Sequence, residues 1–257
     1  MRHRIITLLF FGLALCIPTT APRASAQGAM EGALSKIEWK EVDESIQRGL
    51  KWLVSTQEKD GALPSDSNGQ PGVTSLGALA ILSQGHLPSE GEYGKHLSAA
   101  IDYVLSCQKP NGLLAVKGPS GPIVPANVSH RTGQTAVYNH AISGLMLAEA
   151  YSTTSEERAE KMQEAIERAL RLTLAEQNRE KRRRVDRGGW RYLDQYGLDD
   201  SDLSTIGWQL KFLRSAKNAG FDVPEKAIED AVGCIRNQYS KSRKPVSYTH
   251  LTLPTKA

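Results

Sequence analysis

Three carboxylates stand within four residues at Asp199-Asp200-Ser201-Asp202, just before a helix-like stretch that begins at Leu203. Grouped acids can keep one carboxyl protonated as an acid, or serve glycoside hydrolysis if a second carboxylate lies across a cleft. They can also cap a helix, since Asp and Ser accept from its orphan N–H groups at the positive end of the dipole. Capping requires nothing further, and it is the favoured reading of Ser201 and Asp202. A second polar group, Tyr138-Asn139-His140, follows the Gly- and Pro-rich loop 109–129. At the start of a helix these side chains would reach the mouth of a cavity, although an isolated histidine by itself reads as a packing group. With Asp199, Asp200, Asp202 and Trp208 they make the candidate ligand-binding set. No residue is assigned as catalytic. Cys107 and Cys234 belong to no CxxC or Cys/His spacing, so they read as helix packing, with no metal and no cofactor.

The elements that must position these residues recur along the chain. Arg48-Gly49-Leu50-Lys51-Trp52-Leu53-Val54-Ser55-Thr56-Gln57 runs to Gly61, and weaker copies end at Gln108, Gln177 and Gln238. Aligned on these glutamines, apolar residues fall eleven, seven and three positions upstream. They are Ile46, Leu50, Val54; Leu97, Ile101, Leu105; Ile166, Leu170, Leu174; and Ala227, Ala231, Ile235. Steps of four mark one helix face. The turn glycines are read as Gly61, Gly112 and Gly189. Between these helices lies a second set, Thr74 to Ser83, Thr135 to Tyr151 and Ser204 to Ala219, with Gly77, Gly144 and Gly207 spaced by 67 and then 63 residues. A glycine inside a helix costs about 1 kcal/mol against alanine, so its return predicts close helix contact. The chain therefore reads as an all-α repeat of alternating outer and inner helices.

This pattern resembles the alpha/alpha toroid of terpenoid cyclases and protein prenyltransferases, including the squalene/hopene cyclase repeat. That repeat has a basic residue and Gly, an aromatic-Leu pair, Gln, then Gly-x-Trp. Residues 48–61 supply all but the last Trp, whose place Leu63 takes, and Gly188-Gly189-Trp190 follows Gln177 in the third copy. The resemblance covers roughly residues 37–240. It implies a toroid, here an incomplete arc of about seven helices, in which the glutamines bond helix ends or turns, glycine permits the reversal, and Trp52 and Trp190 plug adjacent helices. Its motifs specify fold far more than chemistry. Asp186-Arg187-Gly188-Gly189-Trp190-Arg191-Tyr192 and Ser204-Thr205-Ile206-Gly207-Trp208-Gln209-Leu210 also resemble exported prenyltransferase/squalene oxidase repeat proteins of planctomycete-type bacteria, which generally carry the ring without a recognised catalytic set.

The family also says what its enzymes would need. In the cyclases a D-x-D-D element protonates the alkene through its middle Asp. Asp199 and Asp202 match the outer positions, but Ser201 replaces the acid, and a hydroxyl is too weak an acid to protonate an isolated double bond. Prenyltransferases hold zinc with an Asp-x-Cys pair, and none occurs here.

Residues 1–26 have a basic start, an apolar stretch from Ile5 to Ile17 and Ala24-Ser25-Ala26 as a cleavage site, which reads as a signal peptide. The apolar run is short for a bilayer span. Residues 27–36 lead into the partial toroid at 37–245, and 246–257 read as a non-native, adaptor-like tail. Removing the leader with Arg2, Arg4 and Arg23 lowers the formal charge from +4 to +1, so nothing favours nucleic acid. The basic cluster Arg179, Lys181, Arg182, Arg183, Arg184 and Arg187 reads as a solvated turn. A family ring needs six helix pairs, so further repeats are expected beyond this sequence. The expected protein is exported to the periplasm or outside the cell, without a stable membrane span after cleavage. It binds an apolar, glycan or protein ligand without catalysis. The alternatives are a squalene/hopene cyclase-like enzyme with its acid in further repeats, and a carbohydrate-active toroid using Trp190, Tyr192 and Trp208 as stacking groups.

Overall fold

Residues 36–88, 90–121, 128–193 and 200–238 are described by a computed structural model. The leader at 1–26, residues 27–35 and the tail at 246–257 lie outside them. Two compact units meet at Gln47 and Arg48. The first contributes only the start of helix α1, Lys36–Thr56, and the description below concerns residues from Arg48 onward. All regular structure among the described residues is helical. After α1 come α2 (Gly72–Ser83), α3 (Gly94–Ser106), α4 (His130–Tyr151), α5 (Glu156–Gln177), α6 (Leu203–Asn218) and α7 (Glu225–Gln238), with a single 3-10 turn at Arg184–Asp186. No helix among the described residues is long and apolar enough to cross a membrane.

Helices α2, α4 and α6 pack side by side, and α3, α5 and α7 lie against them as a second layer. The first layer runs parallel. Ser75 Oγ meets Ser143 Oγ at 2.8 Å, Tyr138 Oη meets Ser204 Oγ at 2.5 Å, and Ser215 Oγ donates to Glu149 Oε1 at 2.7 Å. Small residues let these helices approach. A Cβ on Gly144 would sit 2.7 Å from the Phe212 ring, and one on Gly77 would strike Leu63. Gly207 departs from the expectation, because nothing lies within 4 Å of the space its Cβ would fill. Helix α4 also starts earlier than its apolar pattern predicts. Ser129 caps it, its Oγ accepting from Thr132 N at 3.2 Å.

The second layer is joined by one repeated device. Gln57 Nε2 donates to Gly61 O at 2.9 Å and to His96 O at 2.9 Å. Gln108 Nε2 donates to Gly112 O at 3.1 Å and Ala165 O at 2.8 Å, and Gln177 Nε2 to Gly188 O at 2.9 Å and Ala227 O at 2.7 Å. One hydrogen bond closes the glutamine's own turn and the other grips the next helix of the layer. Three residues beyond each gripped carbonyl, the turn glycine presses on that helix. A Cβ at Gly61, Gly112 or Gly188 would lie 2.2 Å, 2.3 Å or 2.5 Å from the carbonyl oxygen of Ala99, Arg168 or Asp230. All three glycines have positive φ, of 93°, 91° and 84°.

Three sequence expectations need correcting here. In the third turn Gly188, rather than Gly189, takes the reversal, because Gly189 instead faces Ser201 and Cys234. Trp52, expected between helices, is 65% exposed. Trp190, the tryptophan of the third turn, is buried and donates from Nε1 to Thr173 O at 2.8 Å, while Leu63 and Leu114 fill its position in the first two turns. In α7 the apolar face is shifted, so that Cys234 is buried and Ile235 is exposed. The fourth glutamine, Gln238, donates to Cys234 Sγ at 3.4 Å, and the chain after it lies outside the described residues.

Replacing Gln177 with Leu leaves the carbonyls of Gly188 and Ala227 without this donor. Urea titration should show a loss of about 1–3 kcal/mol at unchanged slope, the net worth of two hydrogen bonds. Glycine substitutions divide the same way. Gly112→Ala should destabilise by more than about 2 kcal/mol, combining a left-handed backbone with the Arg168 collision, whereas Gly49→Ala should stabilise by about 0.5–1 kcal/mol. Nothing lies within 4 Å of a Cβ at Gly49, which is helical in α1.

Candidate functional site

Parallel packing of α4 and α6 brings their N-terminal ends together, and most of the predicted polar residues collect there. Asp202 caps α6, its Oδ1 accepting from Ser204 N at 2.9 Å and Thr205 N at 3.1 Å. The Ser204 hydroxyl also donates to this oxygen, which leaves Ser204 Oγ to accept from Tyr138 Oη. The other carboxylate oxygen accepts from Arg191 Nη1 at 3.2 Å and Tyr192 Oη at 3.3 Å. Arg191 lies over the Tyr192 ring, with Cζ 4.3 Å from the centroid, and its Nε is 3.3 Å from Asp200 Oδ1. His130 stands edge-on to Tyr192 at 5.3 Å.

Desolvation opposes ionisation of Asp202, but the hydrogen bonds from the Ser204 hydroxyl and the Thr205 and Ser204 N–H groups outweigh it, with help from Arg191. Its pKa is lowered. Burial, reinforced by the nearby Asp202 charge, raises the pKa of Tyr192 and keeps the phenol a donor. The cluster can therefore present a guanidinium, phenols and the ionised Asp202 carboxylate, which is a poor proton donor.

Ser201 stands apart from this surface. It is buried, donates from Oγ to Asp186 O at 2.6 Å, and packs so closely on Gly189 that a Cβ there would come within 2.6 Å of that oxygen. The Asp186 carboxylate is itself buried and held by Arg183, through Nε at 2.6 Å and Nη2 at 3.1 Å. Arg179 pairs with Glu176 at 3.1 Å and Lys181 is buried, donating to Asp200 O at 3.2 Å. The basic run is thus partly built into the fold and is more than a solvated turn. Desolvation lowers the Lys181 pKa against the pull of Glu176 and Asp200.

His140 and Asn139 do not reach a cavity mouth. Asn139 Nδ2 donates to Asn68 O at 2.6 Å and Gln70 O at 2.9 Å, which ties α4 to the loop before α2. His140 is only 2% exposed. Its Nδ1 accepts from Leu114 N at 3.2 Å, which fixes the proton on Nε2, 3.0 Å from Thr173 Oγ1. Thr173 Oγ1 passes a hydrogen bond on to Gln209 Oε1 at 3.2 Å. Trp208 is half-buried on α6, away from these contacts, with Lys211 Nζ 4.4 Å from its ring centroid. Asp199 lies outside the described residues. Among the described residues no group of three or more His, Cys, Asp or Glu is placed to hold a metal.

Sequence reasoning missed Arg191, Ser204, Thr173 and Gln209 as partners in these networks. Only Arg191 carried a signal, as a basic residue between two aromatics and close to the acidic run.

Burial pushes the His140 pKa down to about 4, against a hydrogen bond from the ring to the Ala169 backbone that favours the cation. The unfolded chain, with an ordinary value near 6.5, then binds the extra proton between about pH 6.5 and 4. Stability is complete above this window and falls through it, by about 3 kcal/mol at pH 4. Denaturant midpoints should show this loss in the wild type and not in His140→Gln; parallel pH profiles would exclude it. No protein-family model matches this chain, and no curated protein or solved structure matches it.

Proposed function

We propose that this chain is an exported prenyltransferase/squalene oxidase repeat protein. Its helices belong to an alpha/alpha toroid that binds an apolar ligand or a partner without isoprenoid catalysis. The observation that carries the non-catalytic reading is Ser201. The position that resembles the cyclase acid holds a buried hydroxyl committed to Asp186 O, and its neighbour Asp202 is an ionised helix cap. A carboxyl at 201 would have to displace that bond within the contact against Gly189. Three successive glutamine clamps, with parallel α2, α4 and α6, support the toroid. Export rests on the basic, apolar and small-residue pattern of residues 1–26.

An apolar ligand is favoured by what α2 and α6 leave exposed. Val73 and Leu76 on α2 and Leu203 on α6 are large apolar side chains open to solvent, which an apolar ligand would cover. The carbohydrate-active alternative has less support, since Trp190 and Tyr192 are buried and Lys211 covers a face of Trp208.

The full chain should retain squalene in a saturable partition assay, return it unchanged, and ignore soluble oligosaccharides. Leu76→Asp should weaken retention about tenfold, equivalent to about 1.4 kcal/mol. Conversion of squalene or a prenyl diphosphate would overturn the non-catalytic reading in favour of the cyclase-like enzyme, and selective glycan binding would favour the carbohydrate-active one.

A further inference from the structure

We propose that the crevice between α5 and the turn joining α6 to α7 binds a small zwitterion with an apolar body, the chemistry of free apolar amino acids and short peptides. The crevice holds about 430 Å³, which falls in the range of small-molecule pockets. It lies at the C-terminal ends of α4 and α6, remote from the Tyr138 cluster at their N-terminal ends, and the proposal does not depend on the toroid reading.

One wall is apolar. Tyr151, the last residue of α4, and Phe221 in the turn pack ring to ring with centroids 4.9 Å apart, beside Leu170, Leu174 and Pro224. Charges of both signs line the same space. Arg171 on α5 and Asp222 in the turn make no ion pair among the described residues. Glu167 stands one helical turn before Arg171, a spacing at which such residues ordinarily pair. It instead accepts from Gln163 Nε2 at 3.1 Å, and Gln163 Oε1 accepts from Tyr151 Oη at 3.4 Å. The hydrogen bonds that hold Glu167 thus run away from Arg171 and leave the guanidinium uncompensated.

This mixture of charges selects among ligand classes. An anion on Arg171 would also meet Glu167 and Asp222, and a cation drawn to those acids would meet Arg171. An uncharged apolar molecule would cover all three charges and replace their water with nothing. A zwitterion answers each of them. Its carboxylate takes the planar guanidinium fork of Arg171, its ammonium takes the acidic side beside the aromatic rings, and its apolar body covers the leucines and Pro224.

Calorimetric titration of the full chain with L-leucyl-L-phenylalanine, set against the same dipeptide acetylated at its N-terminus and amidated at its C-terminus, tests this. Saturable binding is expected for the free dipeptide, about tenfold or more tighter than for the blocked one. Arg171→Gln and Asp222→Asn should each weaken the free dipeptide by a similar factor while leaving the urea midpoint unchanged, because both side chains are exposed. Equal affinity for the free and blocked dipeptides, wild-type affinity in both variants, or no saturable binding at millimolar concentration would overturn the proposal.

Discussion

A side-chain amide carries two N–H donors on one nitrogen, and the second layer of this fold depends on using both. At Gln57, Gln108 and Gln177 one donor closes the turn that follows the helix and the other holds the helix that comes next. A residue that holds its own turn and a carbonyl of the next helix at once fixes an exit angle and a neighbour together. The glycine then has to follow. With the turn held against the next helix, a Cβ would meet a backbone carbonyl at all three positions. Glutamine and glycine are therefore two halves of one contact, and the spacing of three residues puts the gripped carbonyl and the pressed one on the same face of the receiving helix.

The amide oxygen shows where this device is free to vary. Gln57 Oε1 has a partner in His96 Nδ1 at 2.6 Å, on the helix that it grips. Ala165 and Ala227 occupy the matching places in the next two copies, and Gln108 Oε1 is buried without a partner. The donors are kept and the acceptor is not, which identifies the N–H groups as the part the architecture requires.

That division explains how much was legible in the sequence. Periodicity and the recurring Gln revealed the helices, their two classes and the turns, since these are local and repeat. Gly188 could have been placed by counting two residues back from Trp190, as Gly61 precedes Leu63 and Gly112 precedes Leu114; the double glycine hid it. Trp52 could not be placed, because its exposure depends on what lies beside α1 rather than on the motif that contains it. His140 misled for a related reason. Its bonds to Leu114 N and Thr173 Oγ1 come from segments 26 and 33 residues away, which no local pattern announces. The acidic run was legible as a helix cap at Asp202, while the role of Arg191 required the turn geometry that folds it onto Tyr192.

The third repeat shows how the needs of the fold compete with those of chemistry. Ser201 lies between Asp186 and Gly189, and the Asp186 carboxylate is buried only because Arg183 meets it with two hydrogen bonds. A buried acid loses far more when its partner is removed than an exposed pair gains by forming, so Arg183, Asp186 and Ser201 constrain one another. Placing a proton donor at 201 would mean desolvating a second carboxyl beside Asp186 and opening the contact with Gly189 and Cys234. Serine is the side chain that satisfies this corner, since its hydroxyl supplies the hydrogen bond that Asp186 O accepts and adds no charge. Ser201 is, in this fold, the residue that locks the third turn to the start of α6.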